Sequence, residues 1–366
     1  MKKAFCFIGS LLLIITSCSS EDPPEEITIP AFTVIGASDG IYYESSFDPS
    51  RNQTNLINLS DQLGLDISNL LSLNFTENIV SFNNRNVNEI SAWQKDLNTG
   101  ASRKYDSYFT IEEDQFLIWN THSKRHIYIG YESPFASGDV YIRIIDRENE
   151  TVRDTYLTTV SRATLLGEPM YYSNKLLVTF SNEGVYQTIV FNTNTQQIDD
   201  RIIYEGAPHV LKNTDGNLSI FDLNNTYFEY DLVALSKLNE RTLSTIPPFL
   251  RFGNLPEPIV HNNIIYHKYP AAQPSFLDFY PGIFDINSQK STIIDVNQDT
   301  NIPFEPIQGT RFVPLTLVYD IANEVFLVGF TANYPDGAKG VMIFNKNRQL
   351  INAIELPFSP IKILLQ

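Results

Sequence analysis

Proline-led pairs of short apolar strands, an acidic or amide turn recurring about every fifty residues, and one strand left over at the C terminus predict an all-β fold for residues 31–366. The expected architecture is a seven-bladed β-propeller, its ring closed by the C-terminal strand pairing into the first blade. The first unit, FTVIGAS, GIYYESSF and TNLINLSD, supplies three strands and lacks the proline-led opener. Turns near Asp48, Asp96, Asp146, Asn192, Leu235, Asn287 and Asn345 mark the end of a third strand in seven successive units. In the third unit His122 and His126 flank a β-turn, Ser123-Lys124-Arg125. Gly167-Glu168-Pro169 opens the fourth unit before MYYSNKLLVTF, and Gly206-Ala207-Pro208 opens the fifth before HVLKNTDGNLSIF. Pro256-Glu257-Pro258 leads IVHNNIIYHKY in the sixth, and Phe312-Val313-Pro314 leads LTLVYDIANEVFLVGF in the seventh. Residues 359–366 then repeat the opening of a blade and stop. Placing that strand innermost in the first blade removes two exposed sheet edges at once. A solenoid or a pair of sandwiches has similar strand spacing and is the alternative architecture.

Composition agrees with strands. There are 24 Phe and 19 Tyr against 3 Met, and no long stretch keeps the i, i+3, i+4, i+7 apolar rhythm of a helix. The formal net charge is −16, and −18 without Lys2 and Lys3, so the basic footprint needed to bind a phosphate backbone is missing and nucleic acid is excluded as a partner. The two cysteines are Cys6 and Cys18, which leaves the body without disulfides or thiolate metal ligands.

Both cysteines belong to the N-terminal segment. Lys2 and Lys3 precede an apolar run, Ala4 to Ile15, of signal-peptide length and too short to span a bilayer. Ile15-Thr16-Ser17-Cys18 resembles a bacterial lipobox, which implies lipidation of Cys18, with palmitate among the acyl groups, and cleavage before it. An ordinary secretory signal is the alternative. The expected organisation is therefore a signal peptide over residues 1–17, a lipidated acidic tether over 18–30 and a single propeller domain over 31–366. The tether, SSEDPPEEITIP after Cys18, is too acidic and proline-rich to bury a core. Lipobox, acidic tether and closed propeller together resemble the seven-bladed β-propeller lipoproteins of Bacteroidota. The resemblance implies an outer-membrane, lipid-anchored location, with cell surface favoured over periplasmic face. It also implies a partner of the TonB-dependent transporter class, since some relatives capture ferric siderophores.

Propeller geometry places a ligand at the mouth of the central channel, where inner strands begin. Glu168, His209, Glu257, Arg311 and Lys362 stand at those positions. A solvated mouth with no ligand is the competing explanation. The long loop from Tyr269 to Gly282 adds Phe276, Phe279 and Tyr280, and the loop at Asn333–Lys339 adds Tyr334, for an aromatic platform; Ser133–Gly138 occupies the equivalent place in the third unit. Alternatively the long loop folds down as a lid and buries Phe276 and Phe279. The sequence lacks H-E-x-x-H, G-x-S-x-G, phosphate-loop, dinucleotide and EF-hand motifs. No cofactor is expected; His209, His261 and His267 converging on a metal would mark an enzyme instead. The function expected is thus capture of a small ligand or partner protein without catalysis. The alternatives are a propeller hydrolase or lyase with a His/carboxylate channel site, and a structural or adhesive surface module.

Overall fold

The computed structural model describes residues 28–65, 69–159, 164–244, 247, 253–272, 275, 277–297, 311–332 and 337–366. Among the described residues the strands form six sheets, one of which, eight strands wide, is two four-stranded units joined edge to edge. The first unit contains β1 (Phe32–Ser38), β2 (Ile41–Asp48) and β3 (Gln53–Asn58), followed by the short helix α1 (Leu59–Leu63). The second is β4 (Leu70–Thr76), β5 (Ile79–Asn86), β6 (Glu89–Asp96) and β7 (Ser102–Thr110). The third is β8 (Phe116–His122), β9 (His126–Glu132), β10 (Asp139–Asp146) and β11 (Val152–Thr159). In the fourth, β12 (Thr164–Leu165) and β13 (Met170–Tyr172) are two pieces of one inner strand, both paired to β14 (Lys175–Asn182), with β15 (Val185–Asn192) and β16 (Gln197–Tyr204) outside them.

The fifth unit is β17 (Pro208–Asn213), β18 (Leu218–Asp222), β19 (Thr226–Asp231) and β20 (Ser236–Thr242). The sixth is β21 (Gly253–His261), β22 (Ile264–Pro270), β23 (Phe279–Asp285) and β24 (Lys290–Ile293), and a parallel β17–β21 pairing fuses the two into the eight-stranded sheet. The seventh is β25 (Phe312–Asp320), β26 (Val325–Ala332), β27 (Lys339–Asn345) and β28 (Leu350–Glu355). Finally β29 (Ser359–Leu365) runs antiparallel to β1, and the first sheet has the order β29-β1-β2-β3. Strands far apart in sequence thus share one sheet, and both exposed edges are removed.

Every third strand ends on an Asp or Asn whose side-chain oxygen accepts backbone N–H bonds from the turn beyond it. Asp48 accepts from Ser50, Asp96 from Asn98 and Thr99, Asp146 from Glu148 and Asn149, and Asn192 from Asn194 and Thr195. Asp231 accepts from Val233 and Ala234, Asp285 from Asn287 and Ser288, and Asn345 from Gln349. The recurrent turn residue in the sequence is therefore a side chain replacing a turn's backbone acceptor. In the fifth and sixth units the capping residues are Asp231 and Asp285. Leu235 stands at the far end of its turn with φ +53°, and Asn287 is a donor to the cap.

Packing occurs between units. Ile35, Val80 and Phe82 join the first to the second; Ile90, Phe109 and Ile129 the second to the third; Trp119, Ile142, Val178 and Phe191 the third to the fourth. Leu177, Tyr204 and Phe228, then Leu211, Val260 and Phe284, continue through the fourth, fifth and sixth. Phe279, Phe312 and Phe330 join sixth to seventh, and the series closes where Leu327 and Ile343 of the seventh meet Val34 and Ile363 of the first. Each sheet is apolar on both faces because a neighbour covers each, and the large aromatic content supplies the wedge of side chains between them.

Three of the second strands carry a glycine at the same place. A Cβ on Gly36 would lie 2.2 Å from the Phe358 ring, one on Gly130 2.1 Å from the Trp119 ring, and one on Gly329 2.6 Å from Thr316 Cγ2. Each glycine is paired beside a register shift in the adjacent inner strand, so a side chain of that strand, or of the residue just before it, crosses directly over it.

Candidate channel site

The inner strands bulge. One residue is left unpaired at Leu71 in β4, Ile118 in β8, Leu315 in β25 and Ile361 in β29, while residues 166–169 separate β12 from β13. In β21 the register with β17 shifts between Asn254 and Ile259, which sets Glu257 out of the ladder. A bulge redirects the side chains beside it. Here Ile361, Pro169 and Glu257, together with the adjoining Glu168 and Lys362, line a cavity of about 450 Å³.

A second cavity of about 310 Å³ adjoins the first, and Glu77, Lys212, Glu257 and Lys362 line both. Their walls come from the innermost strand of each of the seven units: β4, β8, β13, β17, β21 and β29 in the first, with β25 added in the second. Seven strands converging on shared space define a central channel. Its lining reaches Glu77, Asn78 and Ser173, in the turns that follow β4 and β13, so the cavities lie toward the end where the inner strands finish.

Three ammonium groups stand in this channel. Lys268 Nζ is 2.6 Å from Glu257 Oε2, and Lys362 Nζ is 3.8 Å from Glu257 Oε1, so one carboxylate serves two lysines. Lys268 also lies over the Phe279 ring at 4.9 Å, and Lys212 over the Tyr172 ring at 5.8 Å. Burial pushes the Lys212 ammonium down to about 8, and the nearby Lys362 charge acts in the same direction. Lys362 is lowered too, chiefly by burial; Glu257 opposes that shift, Lys268 adds to it, and Glu168 opposes it. His267 lines the second cavity and is held neutral, its pKa pushed down to about 4 by burial.

Of the residues singled out in the sequence, Glu168, Glu257 and Lys362 come together on the channel. His209 does not line it; it is buried on β17. Arg311 is exposed at the start of β25 and lines neither cavity. Cys18, Phe276 and Tyr334 lie outside the described residues. The long aromatic loop is shorter than expected, because Tyr269 pairs with Tyr280 and Pro270 with Phe279, which extends β22 and β23. That pairing turns Phe279 into the core between the sixth and seventh units, at 7% exposure, and leaves Tyr269 and Tyr280 half-buried. In the Ser133–Gly138 loop, by contrast, Phe135 is 62% exposed and lies 5.9 Å from the Phe116 ring. The histidines do not meet: His261 Nδ1 bonds Thr214 Oγ1 at 2.7 Å, His122 bonds the Ile79 carbonyl, and among the described residues no three His, Cys, Asp or Glu side chains are placed to hold a metal ion.

Sequence reasoning missed Lys212, Lys268 and Glu77. The available signal is a lysine inside an otherwise apolar inner strand, HVLKN in the fifth unit, matching PIKIL at the C terminus.

Four-stranded antiparallel units packed face to face around a shared channel make this chain a β-propeller protein. A solved protein from Lactobacillus plantarum has a similar fold, with a TM-score of 0.50 at 12% identity, covering 92% of this chain and 100% of that one. The β-propeller domain of the Trilobed protease from Pyrococcus furiosus matches with a TM-score of 0.46 at 11% identity, over 89% of this chain and 93% of that one. The periplasmic gluconolactonase of Pseudomonas aeruginosa matches with a TM-score of 0.45 at 10% identity, over 92% and 98%. No protein-family model and no curated protein matches the sequence.

Proposed function

We propose that this chain is a seven-bladed β-propeller lipoprotein that binds a small ligand in its central channel and holds it without transforming it. The observation that carries the reading is the pair of adjoining cavities, lined by side chains from every inner strand and furnished with lysines and glutamates. A channel serving only as a packing seam would be filled by apolar side chains; this one keeps space and charge. The ring of seven is supported by the β29–β1 pairing and by the core shared between the seventh and first units. Anchoring through Cys18 to the outer membrane rests on the lipobox and the acidic tether. On this reading a soluble small ligand is captured at the envelope and passed to a TonB-dependent transporter, the partner class that the lipoprotein resemblance implies.

Two experiments test it. Palmitate labelling of the full chain in a bacterial host should be lost in Cys18→Ala, and persistence of the label would overturn the anchor. A thermal-shift screen of a metabolite panel against the protein lacking residues 1–17 should yield compounds whose effect disappears in Ile361→Trp. Ile361 is 40% exposed on the channel wall, so the larger ring obstructs the cavity without entering a packed core. Hits that are indifferent to Ile361→Trp would move binding away from the channel.

A further inference from the structure

We infer that the channel ligand is a small organic monocarboxylate, its carboxylate bridging Lys212 and Lys362. The inference rests on the channel-binding reading above and adds the chemical class. Three ammonium groups, of Lys212, Lys268 and Lys362, share this space, and Glu257 is the carboxylate in contact with two of them. Among the described residues no carboxylate comes within salt-bridge distance of Lys212, whose ammonium lies over the Tyr172 ring. Lys212 and Lys362, on strands of different units, line both cavities, and the Lys362 charge disfavours that of Lys212. A half-buried ammonium without a carboxylate partner, beside two others that share one, is costly in a chain whose overall charge is −16 and whose surface has acids to spare. An anion between them removes the repulsion and replaces the missing partner with charge-assisted hydrogen bonds.

The rest of the wall narrows the class. Glu77 and Glu168 stand exposed on the lining, and Glu257 lies beside the lysines, so a dianion such as phosphate meets three carboxylates where a monoanion meets less repulsion. Phe75, Met170, Tyr171 and Ile361 supply apolar surface for an organic tail. A space of about 450 Å³ accommodates a metabolite-sized molecule.

The test uses titration calorimetry on the protein lacking residues 1–17, with hexanoate and phenylacetate as probes, their neutral amides as matched controls, and inorganic phosphate. The acids should bind at least tenfold more tightly than the amides and than phosphate. Lys212→Met should weaken the acids at least tenfold while keeping the melting temperature. Because a bound carboxylate favours the charged amine, binding at pH 8.5 should take up protons, visible as heats that differ between buffers of different ionisation enthalpy; this uptake should be smaller in Lys212→Met. Equal affinity for acid and amide, tighter binding of phosphate, or indifference to Lys212→Met would each overturn the inference. If neutral compounds still bind in a manner blocked by Ile361→Trp, channel binding stands and only the carboxylate assignment falls.

Discussion

Removing the last strand should unfold the protein as a whole. β29 supplies the inner strand of the first unit, and Ile363, at 1% exposure, packs with Val34, Val325, Leu327 and Phe358 in the core between the seventh and first units. Burial of an aliphatic side chain contributes about 1.5–3 kcal/mol, so Ile363 with half-buried Leu364 and Leu365 contributes about 5 kcal/mol, comparable to the whole stability of many domains. Deleting Ser359 to Gln366 removes that and the ladder to β1, and also exposes Phe358, which is fully buried in the intact chain. Ile363→Ala is the graded version: a cavity in this core costs about 3 kcal/mol, and at roughly 2 °C per kcal/mol for a large domain lowers Tm by about 6 °C. Calorimetry on the protein lacking residues 1–17, with far-ultraviolet circular dichroism in parallel, reads both. The point variant should melt in one transition at lower temperature, and the truncated chain should show no cooperative transition. A truncated protein melting within about 2 °C of the parent, less than the loss of a single buried aliphatic side chain would give, would mean that residues 359–366 are a frayed tail and that β29 does not close the ring.

Two further outcomes follow from the repeated local features. Gly130→Ala sets a Cβ 2.1 Å from the buried Trp119 ring and should cost about 1–3 kcal/mol in urea unfolding, with Trp119→Phe in the same chain restoring part of the loss; an unchanged midpoint would show that the ring yields freely. The backbone N–H bonds from Ala234 and Val233 hold the Asp231 carboxyl below its ordinary range. A folded-state pKa below the unfolded one means stability that is present above the unfolded value, about 3.9, and is lost as pH falls through the folded value. Asp231→Asn keeps a neutral acceptor, as Asn192 and Asn345 do naturally, but not the charge, so it should be less stable than the parent at pH 7 and lose less stability between pH 5 and 3. Parallel pH–stability curves for the two proteins would refute this.

Much of the architecture is local and therefore legible in the chain itself. The Asx turns at Asp48, Asp96, Asp146, Asn192 and Asn345 are set by a side chain and the few residues after it, so their spacing exposes the unit length. The leftover strand at residues 359–366 and the three-strand first unit are complementary gaps, and the β29–β1 pairing fills both. Turn chemistry and strand count need no knowledge of what lies across the core.

The site needed that knowledge. Whether Glu257 and Lys362 face each other depends on bulges in two inner strands more than a hundred residues apart, and no periodicity in either strand signals a bulge. Lys212 lies in a strand without such a shift against β18 and gains its role only because Lys362 lines the same cavities from another unit. Phe279 reads as a loop aromatic until the Pro270–Phe279 pairing extends the hairpin and turns the ring into the core. The sequence by itself determined strands, turns, unit length and the complementary ends, because each is written in short-range chemistry. Only the tertiary structure decided which charges meet in the channel, because those meetings are set by register and packing between units distant in sequence.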